Sequence, residues 1–387
     1  PCRKAMQTLT AARKRLVMAE EAMNEIPIMD EMDAPRPAHV LARGQYDAPT
    51  NDSTLVERAV LSGLPLGFPE DAPRDRLGLA RWVTDPRHPL TARVAVNRLW
   101  GNFFPEPLVR TPENFGSQGA LPTHPLLLDW LARDFIQSDW DVKRFCRNVV
   151  LSATYRQDSA VTREKLEKDP SNRLLARGPA HRLAAEQIRD LALAASGLLN
   201  DQRGGPPVSP YQPGEDLWRE SNGMSPAYQQ SVGVELYRRS LYSVWKRTVP
   251  LPNMMAFDAT PREVCTVKRA RTNTPLQALV LLNDVQFVEA CRQLADRVSE
   301  THDGQGDRIS AAFSALTGRM PDTTELATLL KLLVDERAWF AENPEAATKL
   351  LNHGESKIKQ RMDTIDLAAL TTVCQAILNL DATVWKR

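Results

Sequence analysis

PLQALVLLNDVQFVEACRQLADRVSE, residues 275–300, is the stretch whose reading decides the fold. Leu276 to Leu282 form an apolar run that opens after a proline and stops at Asn283-Asp284. This pair is read as a kink or a fresh helix cap, because a short acidic side chain can accept from the first free backbone N–H groups. Phe287, Val288, Cys291, Leu294, Ala295 and Val298 then recur at spacings of three and four, which is the period of one helix face. The same pattern returns at Ile309, Ala312, Phe313 and Leu316, and again at Leu367, Leu370, Cys374, Ile377 and Leu378. Between them, Asp322-Thr-Thr-Glu325 has the spacing of a capping box, opening a helix with Leu326, Leu329, Leu330 and Leu333 inward. The region after residue 275 is therefore expected to be a helical bundle.

Upstream, the composition changes. The chain has 387 residues with 28 prolines and 18 glycines, whereas average usage is about 5% proline and about 7% glycine. Twenty-six of those 28 prolines lie within residues 1–275 and only Pro321 and Pro344 follow. Proline fixes φ and removes a backbone donor, so loops before residue 275 are stiff and helices there are short. Helices are predicted over about 4–25 (Leu9, Ala12, Leu16 and Ala19 inward), 73–84, 90–104, 124–137, 141–151 and 184–199. Residues 204–214, GGPPVSPYQPG, cannot be helical, and the excursion that follows them to about residue 236 has the length of a functional loop. Residues 237–249 alternate as a strand would. The whole is expected to be mainly α, an irregular loop-rich helical body with a few short strands followed by a carboxy-terminal helical bundle. It divides into 1–72 (helix and extended linker), 73–275 (body) and 276–387 (bundle).

Charge and motifs exclude several classes. Lys and Arg number 49 against 48 Asp and Glu, so the chain as a whole does not attract nucleic acid and no nucleic-acid partner is expected. No run of 18 apolar residues exists, and no transmembrane segment is expected. A chain starting at Pro1 with no signal peptide reads as a processed or excised piece of something longer. Nucleotide-binding, zinc-protease and serine-hydrolase motifs are all missing. The five cysteines, at positions 2, 146, 265, 291 and 374, contain no CxxC or CxxCH. No haem is attached within the chain, then, and no cofactor or metal is expected in it. Cys291 and Cys374 fall on apolar helix faces and read as buried thiols. Cys265 has Cys146 or Cys2 as possible partners. No two histidines stand at helical metal-ligand spacing, which leaves a metal site only from distant loops.

Three constellations stand out. Asn97 and Arg98 adjoin an apolar helix stripe; one of them is expected to be half-buried and hydrogen-bonded, and the guanidinium either holds an anion by two parallel bonds or ties a loop to the helix. Residues 238–271 carry eight Lys and Arg against two acids and run into a helix start at Thr274. Arg262, Arg269, Arg271, Asn273 and Gln277 are thus candidates for an anion site, the alternative being arginines that satisfy loop carbonyls. Six of the chain's 14 Trp and Tyr residues lie within 211–245. Tyr211, Trp218 and Trp245 could stack on sugars or staple an irregular segment to the core. Carboxylates for glycoside hydrolysis could come from Asp129, Asp134, Asp216, Glu220 or Glu235. His124 and Asp129, set beside Arg98, are the candidate catalytic pair.

Several collinear blocks go further. They are RLGLARWVTDPRHPLTARVAVNRLWGNFFP (76–105), TPENFGSQGALPTHPLLLDWLAR (111–133), LSATYRQD (151–158), DPSNRLLARGPAHRLAAEQIRD (169–190), YRRSLYSVWKRTVPLP (237–252) and RTNTPLQALVLLND (271–284). Together they closely resemble the carboxy-terminal domain of unknown function, the PSD-type domain, of large planctomycete-type secreted proteins. The resemblance runs from about Val40 to the last predicted helix. It implies an extracytoplasmic helical module at the end of a longer polypeptide, with haem c on an upstream cytochrome-type domain or partner chain, although the CxxCH module is missing from this chain. It carries no catalytic residues over. The expected function is an interaction or substrate-binding module for an anionic polysaccharide within a cytochrome-associated assembly. The alternatives are an enzyme domain, either a polysaccharide-acting hydrolase or the substrate domain of a haem-linked oxidoreductase, and a purely structural subunit.

Overall fold

A computed structural model describes residues 2–21, 26, 28–48, 52–214, 228–359 and 362–386. Helix dominates, and the described strands form two small antiparallel pairs, so the chain is mainly α. It falls into two compact units, Pro1–Thr91 and Ala92–Arg387.

In the first unit, α1 (Cys2–Glu21) leaves Leu9, Ala12, Leu16 and Ala19 exposed, so its apolar stripe has no packing partner among the described residues. The strands β1 (Ala38–His39) and β2 (Leu55–Val56) pair antiparallel. Helix α2 (Arg76–Thr84) starts at Asp75, whose carboxylate accepts from the Gly78 N–H at 2.9 Å. Gly78 is required there because a Cβ would meet the Pro73 carbonyl oxygen at 1.9 Å. Buried Trp82 anchors the helix by donating Nε1–H to the Leu66 carbonyl at 3.0 Å.

The second unit has two larger cores. One joins α3 (Thr91–Trp100), α4 (Pro125–Gln137) and α5 (Val142–Leu151) through Val96, Trp100, Phe104, Leu131, Phe135 and Phe145. The other is built around α14 (Thr364–Leu378), whose Leu367, Leu370, Val373, Cys374 and Ile377 are each at most 2% exposed. Around it pack α10 (Val285–Thr301), α11 (Gln305–Thr317), α12 (Thr323–Glu342) and α13 (Pro344–Leu351). Asp284 caps α10 by accepting from the Gln286 N–H, and the Asp322–Glu325 capping box is closed in both directions. Helix α6 (Arg163–Lys168) carries a single apolar residue, Leu166, so no periodicity announces it. Helix α7 (Ala185–Ser196) buries Ile188, Ala192 and Ala195 in the α14 core, so that core includes a helix from before residue 275. Cys291 and Cys374 are free, and burial pushes the Cys374 thiol up to about 12. Cys146 and Cys265 are also free, so they do not pair with each other; the side chain of Cys2 lies outside the described residues.

The expected strand at 237–249 is not formed. Residues Gly233–Tyr237 and Ser240–Tyr242 are 3-10 turns, joined to the rest by isolated bridges such as Val208 to Ser243. The reason lies in Arg189 on α7, which is 1% exposed. Its guanidinium donates to the carbonyls of Leu236 (2.9 Å) and Arg238 (2.8 Å), to the Ser240 hydroxyl (3.2 Å) and to Gln286 Oε1 on α10 (3.0 Å). At the start of the stretch a backbone acceptor that a sheet would use, the Arg238 carbonyl, is taken by a side chain. Burial lowers the Arg189 pKa to about 10, far enough above neutrality to leave it charged. Arg189→Met is expected to leave these acceptors unpaired and cost about 3 kcal/mol. A urea titration checks this, and an unchanged midpoint would refute the assignment.

Candidate functional site

Within the second unit lies a cleft of about 850 Å³. Four pieces of chain form it: the end of α3 with the turn behind it, the segment 181–187, the loop 257–271 and the start of α9 (Pro275–Asn283). The second piece is held in place by the strand pair β3 (His181–Arg182) and β4 (Trp385–Lys386), in which His181 faces Lys386. The Leu183 N–H extends that pairing to the Val384 carbonyl at 2.9 Å. Loop 257–271 leaves after α8 (Pro252–Ala256) and is closed at its base, where Asp258 accepts from the Thr272 N–H (2.7 Å) and hydroxyl (2.9 Å). That turn holds Asp258 and Arg262 at positive φ, both 61°.

Among the described residues, five cationic side chains line the cleft, Arg98, Arg182, Lys268, Arg269 and Arg271, against the two carboxylates of Glu106 and Asp258. Several are tied down. Arg269 pairs with Glu186 at 2.8 Å, Arg271 donates to the Gly101 carbonyl at 3.4 Å, and Lys268 stands 3.9 Å from Glu106. Arg182, 8% exposed, donates to Asn273 Oδ1 at 3.1 Å while its Nε has no partner among the described residues. Arg98 is exposed at the cleft, and its guanidinium makes no hydrogen bond or ion pair with any described residue. Helix α7 adds its amino-terminal end, with Ala184 and Gln187 on the cleft surface, and that end of a helix is electropositive.

His181 is the least expected member. It is 6% exposed, and its Nδ1 meets no hydrogen-bond partner among the described residues. Burial first, then the charges of Arg271 and Lys386, lower its pKa from 6.5 to about 4, so the ring is neutral at neutral pH. Nothing in the sequence marks it, because a single histidine outside any spacing pattern carries no signal. Its neighbours are set by pairing with the far end of the chain.

Of the residues singled out from sequence, the cleft brings together Asn97, Arg98, Arg269, Arg271 and Gln277. Asn97 is the buried one of its pair: Nδ2 donates to the Val109 carbonyl (3.0 Å) and Oδ1 accepts from the Val109 N–H (2.8 Å), fixing the loop behind α3. Gln277, fully buried, reaches back to the Thr274 N–H and donates to the Thr272 hydroxyl at 3.1 Å. Asn273 acts through Arg182. The others stand apart from the cleft lining. Arg262 lies over the Trp245 ring at 4.7 Å, and Trp245 donates Nε1–H to the Pro261 carbonyl. The Tyr211 hydroxyl accepts from the Glu355 N–H at 2.8 Å. Trp218 lies outside the described residues, as do Asp216 and Glu220. His124 precedes α4 with Nδ1 3.0 Å from the Thr123 hydroxyl, and Asp129 is paired with Arg93 at 2.7 Å. Arg238, from the basic run, is 1% exposed and donates to the Pro206, Gln202 and Gly204 carbonyls.

Comparison with known families then places the molecule: residues 75–333 match the PSD1 model, described as a protein of unknown function (DUF1553). The chain belongs to the PSD1 family. That match spans α2 to the first half of α12 and so contains every cleft residue named above. No curated protein and no solved structure matches the chain. Among the described residues, no helix of this PSD1 member is long and apolar enough to cross a membrane, and no group of three or more His, Cys, Asp or Glu side chains stands together as metal ligands.

A lowered histidine pKa has a definite consequence for stability. The unfolded chain takes up the proton near pH 6.5 and the folded one only near 4. Stability from His181 is therefore full above about pH 6.5, and it is lost as the pH falls toward 4. The loss is expected to be about 3 kcal/mol once both forms are protonated. His181→Gln should flatten denaturation midpoints across this window, and an unchanged slope would show that the ring titrates normally.

Proposed function

We propose that this PSD1 domain is a binding module for an acidic ligand, of the class of anionic polysaccharides, held in the cleft between α3, β3 and loop 257–271. The observation that carries the reading is that five cations face two carboxylates among the described residues, with the Arg98 guanidinium left without a partner among them. An unpaired guanidinium at the wall of a concave site is a ready bidentate donor for a carboxylate or sulfate. A volume of about 850 Å³ lies within the range of roughly 300–1,000 Å³ usual for small-ligand pockets. Arg182 and the amino end of α7 add further donors on the same wall. Trp245 and Tyr211 are not cleft residues, so the ligand is gripped through its charged and hydroxyl groups. An extracytoplasmic setting and a cytochrome-type partner belong to the same proposal and rest on the family resemblance.

Calorimetry with oligogalacturonate and with a sulfated oligosaccharide, at low and high salt, tests the reading. Saturable binding that weakens with salt is expected, and Arg98→Ala should lower affinity about 10-fold, the value of one charge-assisted hydrogen bond. Arg133→Ala, on the exposed face of α4, should leave it unchanged. Absence of binding to both ligands, or equal loss in the two variants, would overturn it.

A further inference from the structure

The cleft also contains the means to move a proton. Its arginine and lysine side chains carry donors and no acceptor. Asp258 has both carboxylate oxygens engaged by Thr272, and Glu106 faces Lys268. The carboxylates that sequence offered for hydrolysis are spent elsewhere in the second unit. Asp129 is on Arg93, Asp134 is on Arg144 at 2.7 Å and Glu235 stands 3.9 Å from Arg238. A pair of free carboxylates flanking a bond, which glycoside hydrolysis uses, is therefore not formed by the described members of that set. His181 remains: a neutral imidazole, 6% exposed, on the lining that carries Arg182, with its unpartnered Nδ1 sealed inside so that Nε2 is the nitrogen left to meet a ligand. The charged groups that act on it are Arg271 from the loop before α9 and Lys386 on β4, both cationic.

A neutral base surrounded by cations suits one reaction on an acidic sugar. In a uronate residue the proton on C5 lies α to the carboxylate, and its removal is slow because negative charge builds on an already anionic group. Guanidinium groups paired to that carboxylate stabilise the developing enolate charge. We propose that the cleft cleaves uronate-containing polysaccharide by β-elimination, with His181 as the catalytic base. This rests on the acidic-ligand reading and deepens it. The carboxylate sits on Arg98 and its cationic neighbours. The C5 proton passes to the His181 imidazole, the C5–H electron pair becomes the C4=C5 double bond, and the C4–O bond breaks with its electrons leaving on oxygen. That oxygen takes the proton back from the imidazolium and departs as a hydroxyl group. One glycosidic bond becomes one unsaturated uronate and one free hydroxyl, with no water consumed and no change in oxidation state beyond the elimination itself.

The test incubates the full chain with polygalacturonate, alginate and a glucuronate-containing glycosaminoglycan, and follows the ultraviolet absorbance of the new conjugated double bond together with calorimetric binding. Absorbance is expected to grow with at least one polymer. His181→Gln should lower that rate at least ~100-fold while keeping affinity within about threefold. For the unaltered protein the rate should fall as pH drops toward about 4, since only the neutral ring accepts the proton; this holds even if the variant fails to fold. Binding of all three polymers without any unsaturated product would overturn the elimination and leave the binding reading standing. Failure to bind any of them would remove both, and an undiminished rate in a folded His181→Gln variant would remove His181 as the base.

Discussion

A guanidinium that is 1% exposed must find acceptors inside the protein or cost several kcal/mol, and Arg189 finds them on two sides of its helix. Toward the loop it takes the carbonyls of Leu236 and Arg238, and toward the bundle it takes Gln286 of α10. One side chain thereby fixes α7 against both the irregular segment 233–243 and the regular helices beyond residue 275. The cleft depends on this. Its second wall is the start of α7 and the short strand leading into it, so any freedom of α7 would move Arg182 and His181 together.

Buried arginines recur as the means by which the loops are ordered. Arg238 satisfies carbonyls of 202–206 and stacks over Tyr242 at 4.0 Å. Arg177 takes the carbonyls of Asp169 and Pro170, and Arg292 those of Leu351 and Ser356. Each meets backbone carbonyls with its terminal nitrogens, while the Nε of Arg238 and of Arg292 has no partner among the described residues. The cleft cation Arg98 differs from these in what remains open: its guanidinium has no acceptor among the described residues. The same residue type therefore does two jobs here, and the distinction lies in whether protein oxygens are within reach.

The helices were legible because their apolar side chains repeat at the period of the structure that buries them, as at Phe287, Cys291, Leu294 and Val298, and because caps such as Asp322 and Glu325 are local chemistry. The false strand at 237–249 has the opposite origin. Its alternation is real, but the Arg238 carbonyl and the Ser240 hydroxyl are taken by Arg189, a residue distant in sequence. Half of the site could be read for the same reason. Arg269, Arg271 and Gln277 lie beside a readable helix start, and Asn97 and Arg98 lie on a readable stripe. His181 and Arg182 could not be read, since their surroundings come from β4 and from Asn273. The basic run at 238–271 illustrates the limit most plainly: Arg238 is interior, Arg262 covers an indole and Arg271 faces the cleft, and neighbouring positions in sequence give no sign of that division.

The central claim is that the acidic ligand is held where α3, β3, α7 and loop 257–271 meet. Hydrogen–deuterium exchange of the whole chain with and without oligogalacturonate addresses it directly, because each wall is a separate peptide. The account predicts slowed exchange in peptides covering 97–107, 181–188 and 257–277, with the helices α12 and α14 unaffected. Protection confined to other segments, such as the aromatic stretch 228–249, would contradict it, as would no protection at saturating ligand.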